Sequence, residues 1–448
     1  MHATLLYADR VLLVVEWHGR MRWRILRNVF QSRRAVSRLA SKRNLLLHPL
    51  TIATGVWGTL LVFYALHLSD LLRFTTGELL PVTLAIWMPF ALVAFGSSLW
   101  RPKILRRPYR LVRPGPTRLR SIERRLRICW RVWLCAAVFE TLVSGGLPIV
   151  WIFTNSSKTY FDYGIPSLHG FVNSLLLSLA LCRFLLYLLT GKRRHLRIPV
   201  FCMVWWILLV TRASLFFTGL ECAILLLRIR PIRVTVLSRI AAAVICVVVF
   251  FGWVGDLRTG ADTFRELAQP TRSYPLWLPS GILWVYIYAT TPLNNLNYSL
   301  LSRTPERNPL LPHTLSILLP TVLRNYVYGD AAAAGDVMTA ELVESQFNVS
   351  TAYSGPAQDF GLPAVFFFSL IMAGACQWFW YKPDMRSQLV FAVLAQCLVL
   401  SLFYDLFLSL PILAEIGWFY LIFRKPRARG SPMRVHSLRL SDPTTGTA

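Results

Sequence analysis

The chain has 448 residues, 55% of them hydrophobic, with a mean hydropathy of +0.49 and a formal net charge of +27. That hydropathy excludes an ordinary soluble domain, and apolar runs of around 20 residues recur, each long enough to cross a hydrocarbon core of roughly 30 Å. The arginines sit between those runs, so the charge indicates membrane topology and contact with anionic lipids, with no nucleic acid as partner.

In chain order, residues 1–46 form a basic cytoplasmic segment. The apolar run 11–15 is too short for the core of a cleavable signal peptide. The dense basic tract 20–43 reads either as an interfacial helix on anionic headgroups or as sequence upstream of a start at Met21. The first part of a transmembrane bundle follows over 47–254, with expected spans at 47–68, 79–99, 128–152, 167–189 and 234–254. Between the last two lies an apolar block, 198–227, too long for one span and short for two. Basic loops flank it on both sides, so it must cross twice, turning near Thr211-Arg212-Ala213.

Residues 255–360 then form one long loop. Between Gly255 and Asp359 it carries six arginines against nine acidic residues, so it escapes the basic bias of the chain. The positive-inside rule places this loop on the non-cytoplasmic side and both termini in the cytoplasm. Within it, 276–299 is apolar and aromatic but interrupted by Pro279, Gly281 and Pro292, as in an interfacial or re-entrant element. The stretch 314–327 has apolar residues at helical spacing and predicts one amphipathic helix on the bilayer. The second bundle part, 361–423, has spans at 361–381, 389–404 and 406–423, and the tail 424–448 reads as cytoplasmic and disordered. The expected fold is an all-α polytopic membrane protein of about ten transmembrane helices, with a periplasmic loop containing interfacial helices.

The eight cysteines lie in or beside apolar runs, without a CxxC or a Cys/His cluster, and read as small hydrophobes rather than disulfide or metal ligands. P-loop, HExxH, GxSxG and Rossmann fingerprints are missing from the sequence. Arg212 is the sharpest single signal. A guanidinium inside Leu208-Leu209-Val210-Thr211-Arg212-Ala213-Ser214-Leu215 either binds a phosphate or diphosphate, snorkels, or pairs with Glu140 or Glu221. His169, in Gly164-Ile165-Pro166-Ser167-Leu168-His169-Gly170, binds a phosphate, shuttles a proton or bonds a neighbouring helix.

Asn348, Thr351 and Tyr353 lead toward Asp359-Phe360-Gly361 and together suit a sugar-contacting surface at a helix N-terminus that favours anions, with Asp359 as part of it or as the helix cap. Arg324 and Tyr326 form a second cationic and aromatic cluster in the loop. Glu140, Glu221, Asp405 and Glu415 lie in or near spans, as proton-relay groups or as partners for arginines.

These segments, from 160 to 374, together with 288–296 carrying Pro292 and Asn295, resemble the Wzy-type oligosaccharide repeat-unit (O-antigen) polymerases of bacterial envelopes. The resemblance implies a GT-C-like, metal-independent glycosyltransferase of the inner membrane, needing no cofactor. Its donor would be a glycan on undecaprenyl diphosphate, its acceptor one repeat unit on the same lipid. A chain-length regulator would be a further partner. Arg212 would stabilise the departing diphosphate, with Arg324 second, and His169 or Asp359 would serve as base. Arg324, Tyr326, Asn348, Thr351 and Tyr353 would contact substrate. The competing readings are an O-antigen ligase acting on lipid A core, for which His313 would be the loop histidine, and a lipid-linked oligosaccharide flippase or transporter. A third is an assembly scaffold, in which Arg212 would be replaceable.

Overall fold

A computed structural model describes residues 45–100, 114–154, 156–230, 261–275, 280–302, 304–328, 342–344 and 349–424, with isolated positions between 235 and 246. Residues 1–44 of the basic N-terminal segment, all but isolated positions of span 234–254, Asn348 and most of the tail lie outside the described residues.

The described residues form helices and the turns that join them, without a strand. Fifteen α-helices occur in the order α1 Pro49–Ala65, α2 Thr76–Trp100, α3 Pro116–Ser144, α4 Pro148–Phe153, α5 Leu168–Thr190, α6 Arg197–Leu208, α7 Arg212–Ile229 and α8 Ala261–Ala268. They continue as α9 Ser280–Ser302, α10 Pro312–Leu315, α11 Thr321–Tyr328, α12 Ser354–Phe360, α13 Leu362–Tyr381, α14 Met385–Leu400 and α15 Leu410–Ile422. By length and composition α2, the α3–α4 stretch, α5 and α13 are each able to cross a membrane, and α1, α14 and α15 are shorter apolar helices.

Prolines start many of these helices. Pro49, Pro116, Pro148, Pro312, Pro363 and Pro411 sit in the first two positions, where the missing N–H has no helical partner to lose. Gly145 (φ 76°) ends α3 and Gly191 (φ 72°) ends α5, both in the left-handed conformation that stops a helix. The span expected at 128–152 therefore begins a dozen residues earlier and breaks at Gly145, with α4 as a separate turn.

The block 198–227 does split in two, as α6 and α7, with Leu209-Val210-Thr211 between them. Val210 takes φ 58°, and the Thr211 amide donates to the Trp206 carbonyl at 3.0 Å, closing the turn. Two other expectations are corrected. Pro292 does not break 276–299: α9 runs through it from Ser280 to Ser302, with Leu283, Ile287 and Asn294 fully buried against neighbouring elements. The stretch 314–327 is not one helix. Pro320 lacks an N–H and forces Leu319 into extended backbone (φ −93°, ψ 137°), leaving α10 with a 3-10 turn on one side and α11 on the other.

α14 is buried almost along its whole length, as expected of a helix apolar on every face. On one side it packs with α1 and α13, which carry α2 and α9. On the other it packs with α7 and α15, which close on α5. At the basic end, Arg228 of α7 donates from Nε to Gln388 Oε1 of α14 at 2.9 Å, and Arg125 of α3 donates to the Ile422 carbonyl at 3.1 Å. At the opposite end the long loop is tied to the α1–α2 connection. Ser69 Oγ donates to the Ala268 carbonyl (2.6 Å), and Tyr64 donates to Asn294 Oδ1 (2.8 Å).

Candidate functional site

The candidate site lies at the non-basic end of α5, α7, α14 and α15. The antiparallel helices α7 and α14 are pinned at the basic end through Arg228 and Gln388. From that point α7 climbs sixteen residues to Arg212 and α14 twelve residues to Leu400. At about 1.5 Å per residue these are climbs of roughly 24 and 18 Å. Arg212 and the connection 401–409 thus emerge at one end of neighbouring helices. That connection leads to α15, whose Pro411 side chain packs against Gly170 of α5, one residue after His169.

Arg212 is the first residue of α7 and is exposed, with no hydrogen bond or ion pair among the described residues. The pairing with Glu140 or Glu221 is not formed. The first-turn amides of α7 lack helical acceptors, so the guanidinium stands beside a partial positive charge.

Glu140 of α3 is occupied by His169 instead. Its Oε2 accepts from His169 Nδ1 at 3.2 Å, which leaves Nε2 to accept from Asn173 Nδ2 at 2.8 Å. The ring stands edge-on to Tyr163, and Gly164 (φ 92°) leaves its Cβ space to it. Both ring nitrogens are engaged, so His169 joins α3 to α5 and holds no lone pair free for a substrate proton.

Asp359 is fully buried. Its carboxylate accepts from the His313 amide (3.1 Å), the Thr314 amide (2.8 Å) and the Thr314 hydroxyl (2.5 Å). It caps α10, not the following helix α13, and three donors already occupy its oxygens. Gly355 in α12 lets this packing form: a Cβ there would sit 2.5 Å from the His313 carbonyl oxygen.

The sugar-contact residues separate. Tyr353 is fully buried, edge-on to Trp57 and Phe368, and Thr351 is buried with it, so neither offers a face to a sugar. Tyr326 of α11 is 89% exposed. Arg324 lies on the same helix, carried by the loop rather than by the four-helix group that holds Arg212.

Asp405 is one of four carboxylates in or near spans, with Glu140, Glu221 and Glu415, expected as proton-relay groups or as partners for arginines. It lies in the 401–409 connection, half-buried, and accepts from the Leu408 amide at 3.3 Å, with the Phe407 amide also directed at it. It has no ion pair among the described residues. Burial pushes its carboxyl up to about 7, against the weaker opposing pull of the Leu408 and Phe407 amides. The Ala352 amide donates to the Ser401 carbonyl at 2.8 Å, so the segment around Tyr353 runs alongside this connection.

Deeper in the same four helices, Glu221 of α7 is held against Glu415 of α15, both buried. Both oxygens of Glu415 and Oε1 of Glu221 are buried without a hydrogen-bond donor among the described residues. Here too no arginine supplies an ion pair among the described residues. Among those residues, no group of three or more His, Cys, Asp or Glu could hold a metal ion.

No family model, curated protein or solved structure matches this chain, so its function is argued from its residues and their geometry.

Proposed function

We propose that this chain is a membrane-embedded glycosyltransferase that polymerises undecaprenyl-diphosphate-linked repeat units at the periplasmic face of the bacterial inner membrane. In this reading α1, α2, α3, α5, α6, α7, α13, α14 and α15 are nine spans, and 234–254 is the tenth. The arginine-rich end is cytoplasmic. The short helices α6 and α7 require a locally thinned or tilted crossing. The long loop and the connections 66–75, 145–167, 209–211 and 401–409 then share the periplasmic side.

The observation that carries the reading is Arg212: an unpaired guanidinium on the first turn of a helix, at the end away from the basic tracts. Such a group, with the free amides beside it, is matched to the charge that develops on a departing diphosphate. The acceptor hydroxyl attacks the anomeric carbon, the carbon–oxygen bond to the diphosphate breaks, and undecaprenyl diphosphate leaves. The ligase reading is weaker. His313, the histidine it would use, is buried on α10, with Nε2 2.8 Å from Glu306 Oε1.

The test is reconstitution of the purified chain in liposomes with an undecaprenyl-diphosphate-linked repeat unit. A ladder of glycan lengths with release of undecaprenyl diphosphate, lost in Arg212→Ala, supports the reading. Glycan transfer only when lipid A core is added points to a ligase, and movement of the unit across the bilayer without a new bond points to a transporter. Either outcome overturns the polymerase assignment.

A further inference from the structure

A glycosyl transfer also needs a group to take the proton of the attacking hydroxyl, and the carboxylates and histidines at this end of the bundle differ in their fitness for it. Asp359 spends its oxygens on three donors and is sealed from solvent. His169 has both ring nitrogens engaged, by Glu140 and Asn173. Glu221 and Glu415 lie well below the helix ends. Asp405 is different on each count. It is partly open to solvent, its donors are backbone amides only, Leu408 at 3.3 Å with Phe407 beside it, and it stands in the connection at the same end as Arg212.

We propose that Asp405 is the general base of the transfer, accepting the acceptor hydroxyl proton as that oxygen bonds to the anomeric carbon. The inference rests on the glycosyl-transfer reading above. The step balances within the groups named. The hydroxyl oxygen forms the new bond to carbon, its proton passes to a carboxylate oxygen of Asp405, and the bonding pair to the old oxygen leaves with undecaprenyl diphosphate. The two charged groups divide the work. Arg212 receives the developing negative charge of the leaving group, and Asp405 removes the proton, so the reaction needs neither side chain to pair with the other.

The surroundings of Asp405 set its proton affinity. Tyr353 approaches from the 349–361 segment, Tyr404 adjoins it in the same connection, and Cys397 lies on the last turns of α14. Arg212 and His169 stand at the starts of α7 and α5. None of these forms an ion pair with Asp405 among the described residues, so desolvation dominates and places the carboxyl at about 7. A base in that range is matched to neutral pH, and its activity is lost as the pH falls through its own proton affinity.

The test is single-turnover glycan transfer in liposomes, with an undecaprenyl-diphosphate-linked repeat unit, as a function of pH. Wild type should show a limb near pH 7, with turnover at pH 6 about five-fold below that at pH 7. Asp405→Asn should lose on the order of 10²–10⁴-fold in kcat, keep KM within about two-fold, and lose that limb. Asp405→Glu should restore part of the rate with the limb moved. Asp405→Asn with a kcat near that of wild type, or with the limb unchanged, overturns the inference while leaving the transferase reading intact. Should Asp405→Asn fail to fold, an unmoved limb in Asp405→Glu overturns it equally. Absence of any product from wild type at every pH defeats the transferase reading itself, and the base with it.

Discussion

Arg228 donates from Nε to Gln388 at 2.9 Å, joining α7 to α14 at the end opposite Arg212. The guanidinium is buried, lies 4.6 Å over the Phe391 ring and also donates to the Trp380 carbonyl. This contact sets how far each helix rises, and so where Arg212 and Asp405 emerge.

Gln388→Ala leaves part of a buried charge without its acceptor. The expected loss is about 1.5–3 kcal/mol, typical of a hydrogen bond to a charged group. Thermal unfolding in detergent measures it. An unchanged midpoint would show that the pin contributes nothing.

Asp359→Ala removes the cap of α10, strands the His313 amide and leaves the Thr314 amide only its 3.2 Å bond to the Leu311 carbonyl. It should cost about 1–3 kcal/mol of stability. Folded protein at low temperature should keep its kcat. A loss of turnover in folded Asp359→Ala would restore Asp359 as a base.

Gly164→Ala places a Cβ 2.5 Å from His169 Nδ1 at a residue with φ 92°. Both effects are unfavourable and cannot be relieved together, because His169 is held by Glu140 and Asn173. A loss of about 2 kcal/mol or more is expected. Gly191→Ala is the control: it has a similar φ of 72° but open space at its Cβ, so its cost should be smaller.

Glu415→Gln puts an amide donor against Glu221 and removes one of two buried acids that lack a cation. The unfolding midpoint should rise or hold, since an unpaired buried carboxylate is costly. A fall of several degrees would show that the pair holds a charge the bundle needs.

The Asp405 carboxyl moves from an ordinary 3.8 to about 7 on folding. Between those values the folded chain binds the proton more tightly than the unfolded chain. The resulting stability is complete at low pH, declines as the pH rises from about 4, and is gone above about 7. Asp405→Asn should therefore unfold at a higher temperature than wild type at pH 8 and at nearly the same temperature near pH 4. Equal midpoints at pH 8 would show that the carboxyl is not desolvated.

Much of the helix plan is legible along the chain. Apolar length marks the spans, prolines mark many starts, and the two basic loops around 198–227 require the break that the structure has at Leu209-Val210-Thr211. These features act over one to a few turns, within reach of local steric and transfer energies. Pro292 is the instructive exception, because neighbouring elements bury α9 and override a local breaker. Arg212 was visible for the same local reason: a charge in an apolar run is costly wherever the run folds.

The acidic residues were not separable in this way. Asp405, Glu140 and Glu415 look alike in sequence, each a carboxylate in or near a span, and Asp359 is marked there only by its place before the next span. Tertiary contacts distinguished them, giving Asp359 three donors, Glu140 a histidine, Glu415 another glutamate and Asp405 a partly open, desolvated place. A carboxylate's chemistry follows from burial and from the donors around it, and those come from helices far apart along the chain. The sequence by itself determined a helical bundle with one basic end and an arginine at a helix break. Only the tertiary structure decided which acid stands at the opposite end, with Arg212, partly open to solvent and held by backbone amides alone.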